Sequence, residues 1–314
     1  MGETTETKGL PEFVSFGEAL TDMIRVAPDQ WKSVPGGAPW NVAMVMSYFG
    51  IPSAFGGAIS SDCFGDEIWK TTIHAKLDLR FTQRLQKSPL LAIVHETHPP
   101  KYYFIGDDSA DLHFDVAALP EGWEKAVRWA HFGCISLARQ PLADRLVATA
   151  ERLHKLGVKI SYDPNFRAVM DESYDPILAR MTAIADLIKV SEEDLRGFFR
   201  MQDEYAAFEK LRSMNSKAAY LFTRGAEGAA IYVGDQHWRA LPPTIKVVDT
   251  VGAGDTSLAG LLNSLIRHPD AGWETHLRAA IAAGSGACLA AGASPPSEET
   301  IARLAAEVKF VEKP

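Results

Sequence analysis

Short apolar runs alternate with longer stretches of helical period along most of this chain. Val158 to Tyr162, Ala218 to Thr223 and Ala229 to Val233 are each bounded by Gly, Asp or Pro, and their length and bounds predict buried strands. Leu142, Leu146, Val147, Leu153 and Leu156 recur near helical spacing ahead of Gly157, which predicts an amphipathic helix with a glycine stop. Ile245, Val247 and Val248 predict the end of another strand. The residues Leu258, Leu261, Leu262, Leu265 and Ile266 then fall on one face of a following helix. Strand alternating with helix argues for a mainly parallel sheet flanked by helices, with ligand sites beyond the carboxyl ends of the strands. Two stretches break the rhythm, Glu18 to Val34 and Leu90 to Phe114, the second carrying the β-rich runs Leu90 to Glu96 and Lys101 to Ile105. They are expected to form a small sheet over the main domain. No repeat, linker or low-complexity block marks a boundary.

Composition narrows the function classes. Of 314 residues 46% are hydrophobic and 23% charged, enough apolar material for a sizeable core. The net charge of −8 comes without a basic stripe, so nucleic acid is not an expected partner. Cys63, Cys134 and Cys288 are odd in number and far apart, as expected of reduced thiols rather than a disulfide framework or a C-x-x-C site. The first ten residues are polar and no stretch reaches membrane-spanning length, so no membrane partner and a cytoplasmic location are expected.

The chemistry concentrates at Gly252, Ala253, Gly254 and Asp255, just before the helix that begins the Leu258 pattern. Small residues there let backbone N–H groups face open space at a helix N-terminus, where the dipole and unpaired donors attract phosphate. Asp255 repels the phosphate those amides attract, and that conflict suggests a catalytic pair. The carboxylate accepts the proton of an attacking hydroxyl while the amides of Ala253, Gly254 and Asp255 hold a transferring phosphoryl group. A surface Asp with an ordinary pKa near ~4 suffices for that base. A tight turn in which Asp255 merely caps the helix accounts for the same residues.

The run Asp249-Thr250-Val251-Gly252-Ala253-Gly254-Asp255-Thr256 resembles the C-terminal hallmark of the ribokinase-like, or PfkB, carbohydrate kinases. The N-terminal hallmark is recognisable in Pro35-Gly36-Gly37-Ala38-Pro39-Trp40-Asn41-Val42-Ala43, followed by Gly56-Gly57 and Asp62-Phe64-Gly65-Asp66. With Gly17 to Asp22 near the start and Gly292-Ala293 near the end, the resemblance covers nearly the whole chain. It implies one domain over 1–314 with a three-layer α/β/α mainly parallel sheet, and a small β-sheet lid inserted at about 18–34 and 90–114. It also implies ATP-dependent phosphorylation of a sugar.

By the same resemblance Asp22, Gly36, Gly37 and Asn41 fall where the family binds its sugar. A carboxylate and an amide can pair with vicinal hydroxyls while glycines let the backbone come close. Asp163-Pro164-Asn165-Phe166-Arg167 resembles the D-x-N-x-R segment of the fructokinase branch, and Arg167 is placed on substrate or phosphate. Ser191-Glu192-Glu193-Asp194 stands where relatives carry an N-x-x-E motif linked to magnesium. Ser191 and Asp194 depart from it, so a magnesium role for Asp194 would run through water; an N-cap with an acidic first turn fits the same residues. Thr223, Gly225 and Gly228 look like the nucleotide-side T-x-G-x-x-G turn, and the small-residue run from Ala279 to Ala293, including Ala287, like the wall beside the adenine. Asp249 with carbonyls near Val251, Ala287, Ala290 and Gly292 is the implied site of a monovalent cation such as K⁺.

Tyr102-Tyr103-Phe104 and Ser109-Ala110-Asp111-Leu112 resemble the fructokinase lid, which tilts the expectation to D-fructose, phosphorylated at its 6-hydroxyl. A 2-keto-3-deoxygluconate kinase shares several of these features and stays the alternative. Exposed apolar residues on such a lid would pair two protomers as a homodimer. Hydrolase-elbow, P-loop and zinc-helix motifs are absent, and His95-Glu96-Thr97-His98 has the wrong spacing for zinc. No G-x-G-x-x-G stands near the first strand to support an NAD-dependent oxidoreductase. A silent sugar or nucleotide sensor would have no need of Asp255.

Overall fold

A computed structural model of the chain describes residues 9–97 and 100–311; the polar opening stretch of residues 1–8 and His98 lie outside them. The strands are β1 Phe13–Phe16, β2 Leu20–Ala27, β3 Gln30–Gly36, β4 Ser53–Ser60, β5 Thr82–Leu85, β6 Leu91–Thr97, β7 Pro100–Ile105, β8 Trp129–Gly133, β9 Lys159–Asp163, β10 Leu187–Ser191, β11 Ala219–Thr223, β12 Ala229–Val233, β13 Gln236–Leu241 and β14 Lys309–Phe310. Ten of them form one sheet in the order β14-β13-β12-β11-β10-β9-β8-β1-β4-β5. From β5 through β11 every neighbouring pair is parallel, and only the β11 to β14 edge is antiparallel.

Alternate residues of these strands serve opposite cores. Val14, Phe16, Phe132, Ile160, Tyr162, Ile188, Tyr220 and Phe222 face one side, packed with Leu142, Leu146, Val147 and Leu153 of the helix Leu142–Lys155. Phe13, Leu187, Leu221 and Ile231 face the other, against Val42, Val45 and Met46 of Ala38–Tyr48, Leu258, Leu261 and Leu262 of Ala253–Arg267, and Leu277 of Trp273–Ala287. Burying both faces of a parallel sheet requires near-continuous apolar strands, and all eight residues of β4 are buried. The outcome is a three-layer α/β/α fold. Sheet order reverses around β1, which lies between β8 and β4, so a crevice opens at the carboxyl ends there.

A second sheet, ordered β3-β2-β6-β7, stands apart from the first. It starts at Leu20 and runs through Gly36, a little later than the expected 18–34 stretch, and its other half ends at Ile105. Residues 106–114 do not extend it. Ala110–His113 form a 3-10 turn, and Asp111 is buried in an ion pair with Arg139 while accepting the Ser109 hydroxyl at 2.5 Å.

The strand expected at Ile245 to Val248 is not there. Residues 242–252 run irregularly from β13 to the helix. Pro242 and Pro243 remove two ladder donors, and the Val248 N–H donates to the Cys288 carbonyl at 2.9 Å instead of to a strand. The glycines therefore sit at a loop-to-helix junction.

Candidate active site

Gly252 is the N-cap of Ala253–Arg267 and holds φ 75, a left-handed turn that glycine enters without a Cβ penalty. A Cβ there would also lie 2.7 Å from that of Ala293. The Ala253 N–H donates to the Thr250 carbonyl at 3.2 Å, whereas the Gly254 and Asp255 amides have no acceptor among the described residues. The expected triplet of phosphate donors is thus a pair at the helix's positive end.

Asp255 sits in the first helical turn and is buried, 8% exposed, rather than at the surface as expected. Burial pushes its carboxyl above the usual range, while the Asn41 side chain and the Lys189 and Arg167 cations hold it back. Asn41 Nδ2 donates to Asp255 Oδ2 at 2.8 Å. The two hallmarks, far apart in sequence, meet in that one bond. Asn41 Oδ1 and Thr256 Oγ1 are buried with no protein partner, so each has hydrogen-bonding capacity to spare for a ligand.

Across the crevice Asp22 comes from β2. Burial pushes its carboxyl up to about 6, with Arg167 lowering and Asp255 raising it. A Cβ on Gly36 would overlap Asp22 Oδ2, and one on Gly37, held at φ 114, would lie 2.6 Å from the Glu18 carbonyl. The two glycines thus leave room for the carboxylate and for a close backbone pass. Arg167 lies 5.2 Å from the Tyr102 ring centre, within cation–π range. Its Nη1 donates to Asn165 Oδ1 and the Phe166 carbonyl, both at 2.7 Å. Asp22, Arg167, Asn41 and Asp255 are thereby brought to one place.

Ser191 and Thr223 are partners at the ends of β10 and β11. Ser191 caps the helix Glu192–Phe199 in a reciprocal box with Asp194, so the capping expectation is the arrangement found. Asp194 Oδ2 accepts the Ser191 N–H at 2.7 Å and Oδ1 the Phe166 N–H at 2.8 Å. Gly225 opens a 3-10 turn at φ 51, and Gly228 at φ 92 passes so close to the Ala240 carbonyl that a Cβ would overlap it. Asp249 clasps two loops: Oδ1 accepts the Val251 N–H at 3.1 Å and Oδ2 the Gly292 N–H at 2.8 Å. Partial burial would raise its pKa, but the Gly292, Val251 and Thr250 donors hold it below the usual range. Ala287 ends its helix beside these loops, and its carbonyl accepts the Ala290 N–H at 3.4 Å.

The model of the pfkB family carbohydrate kinases matches residues 11–300. The chain belongs to that family. A probable chloroplastic fructokinase-6 of Arabidopsis thaliana is 31% identical over 84% of this chain and 72% of its own length. A fructokinase of Klebsiella pneumoniae is 31% identical over 81% and 84%. Among solved structures, a fructokinase of Xylella fastidiosa with bound ATP superimposes with a TM-score of 0.84 at 25% identity, covering 95% of this chain and 99% of that one. An aminoimidazole riboside kinase of Salmonella enterica superimposes at 0.82 with 23% identity over 93% and 99%, a likeness of fold alone. The chain is an ATP-dependent sugar kinase with the PfkB fold.

Two ions implied by PfkB membership can be weighed against the residues. No group of three or more His, Cys, Asp or Glu forms a metal cage among the described residues. Both Asp249 oxygens already accept backbone N–H groups, from Val251 and Gly292, so a cation such as K⁺ would meet only their remaining lone pairs. One charged residue beside the Gly254 turn escaped the sequence reading altogether: Lys189, a lysine inside the buried strand Leu187–Ser191. A charge amid a buried strand was the available signal.

Proposed function

We propose that this kinase phosphorylates D-fructose at its 6-hydroxyl. The observation that carries the reading is the juxtaposition of buried Asp255 with the acceptor-free amides of Gly254 and Asp255. Asp255 takes the proton of the sugar hydroxyl, that oxygen bonds to the γ-phosphorus, and the bond to the ADP oxygen breaks with its electron pair leaving on ADP. The two amides stabilise charge on the transferring group. Asp22, Asn41 Oδ1 and the Gly36-Gly37 backbone hold the sugar hydroxyls, and Arg167 completes the rim beside Tyr102. Ser191, Thr223, Gly225, Gly228 and Ala287 line the nucleotide side. Magnesium, when bound, would neutralise charge on the phosphates, and Asp194, whose oxygens both already accept backbone N–H groups, would act on it only through water. Asp249 and the carbonyls of Val251, Ala287, Ala290 and Gly292 would hold a monovalent cation.

Fructose is favoured by the fructokinases named above, two of them at 31% identity. A coupled ADP-release assay over a sugar panel, with wild type and Asp255→Ala side by side, tests both halves of the reading. Fructose is expected to be the preferred hexose, and the variant to bind ATP yet lose at least ~100-fold in turnover. Far better turnover of 2-keto-3-deoxygluconate would reassign the sugar. An active Asp255→Ala enzyme would remove the base, and ligand binding without turnover in the wild type would point to a sensor.

A further inference from the structure

Lys189 belongs to β10, where its neighbours in sequence pack the cores, yet its side chain ends in a buried ion pair with Asp163 Oδ2 at 2.9 Å. A buried pair of this kind adds little stability over apolar residues of the same volume, so its presence calls for another reason. The other Asp163 oxygen, Oδ1, is buried without a partner. The ammonium also reaches the phosphoryl-transfer turn: a Cβ built on Gly254 would lie 3.2 Å from Lys189 Nζ and 3.6 Å from its Cε. A cation set against the positive end of a helix is repelled by the dipole and by the unpaired amides. It is tolerated where anions share the spot, and here those are Asp163, Asp255 and, during turnover, the phosphoryl group.

We infer that Lys189 is a positioning residue for the transfer reaction: held by Asp163 beneath the Gly254 turn, it is the buried countercharge of Asp255. The inference rests on Asp255 being the base. The charged and titratable groups that influence Asp255 come from every side of the crevice. They are Lys189 from β10, Asp163 from the end of β9, Arg167 from the loop after it, Asp22 from β2 and Tyr102 from β7. Of these only Lys189 and Arg167 are cations, and Arg167 spends its guanidinium on the Tyr102 face and on Asn165 and Phe166 oxygens. Burial alone would discharge Lys189, but Asp163, Asp194 and Asp255 hold its pKa above the usual value. It therefore stays charged throughout the working pH range.

The test is the pH profile of kcat from pH 5 to 9 for wild type, Lys189→Met and Lys189→Arg, with ATP affinity and thermal melting measured on each. Loss of the cation makes Asp255 harder to ionise, so in the Met variant the acidic limb is expected to move up by about one pH unit. ATP affinity should stay within about threefold of wild type, and the Arg variant should keep its limb near the wild-type position. A Met limb that superimposes on the wild-type one overturns the inference. If Lys189→Met does not fold because Asp163 is stranded, the double variant Asp163→Asn/Lys189→Met removes the pair as a unit. There the lost Asp163 anion offsets part of the lost cation, so the limb is read against that of Asp163→Asn alone, and two coincident limbs are again fatal. Failure of the base assignment itself would surface separately, as turnover in Asp255→Ala.

Discussion

Gly36 earns its place through Asp22. Even one methyl group on Gly36 would overlap the Asp22 carboxylate, which must then swing out of the pose in which it is proposed to bind a sugar hydroxyl. Gly36→Ala should raise KM for the sugar on the order of tenfold, as lost polar recognition does, while ATP affinity stays near wild type. Steady-state kinetics with each substrate varied in turn checks this, and an unchanged sugar KM would remove Asp22 from the binding set. Asn41 acts at the same scale. Its amide group donates to Asp255 while its oxygen has no protein partner, so under the proposed function one side chain would join sugar and base.

Among the elements, the second sheet carries a prediction of its own. Asp22 pairs with Ala92 of β6 on one neighbour and Val34 of β3 on the other, and side chains alternate along each strand. The face opposite Asp22 therefore holds Met23, Trp31, Ile93, Tyr103 and Ile105, of which Trp31, Tyr103 and Ile105 are 43%, 64% and 48% exposed. An apolar face of that kind suits contact with a second copy of the chain. Wild-type protein should sediment as a dimer at micromolar concentration and Tyr103→Asp should shift it to monomer; a monomeric wild type ends the idea. The helix Ala253–Arg267 shows how an element hosts the chemistry. Its buried stripe of Leu258, Leu261, Leu262 and Ile266 locks the axis, and the Gly254 and Asp255 amides of its first turn have no acceptor among the described residues.

Over the whole molecule, the crevice concentrates buried acids, and Glu18 offers a reading of what that costs. It is buried at the end of β1, where it accepts the Ser136 N–H at 3.2 Å and the Ser136 hydroxyl, with Oε1 left unpartnered. Burial pushes its carboxyl up to about 7, and the Ser136 hydrogen bond only partly offsets this. Because the folded pKa exceeds the ordinary value of 4.5, Glu18's contribution to stability is fully present below pH 4.5 and is lost as pH rises through 7. Glu18→Gln should abolish that loss. Its melting temperature relative to wild type is expected to climb between pH 5 and 8, by a few degrees at the upper end. A difference between the two proteins that stays flat with pH would show that Glu18 is charged throughout. Among the described residues no helix is long and apolar enough to cross a membrane.

Fold class and family were legible in the chain because each rests on local order. Apolar periodicity marked Leu142–Lys155, β9, β11 and β12 to within a residue or two, and the Asp249 to Thr256 and Pro35 to Ala43 runs are contiguous. Ile245 to Val248 misled for an opposite reason: apolar content suggested a strand, but two prolines and a bond to Cys288 decided the backbone. Asp255 likewise read as a surface acid, since burial is a property of what packs on a residue and not of the residue. Only folding could bring Asn41 to Asp255, Lys189 under Gly254 and Asp111 to Arg139. Their energies depend on distance and burial, quantities that no linear spacing carries.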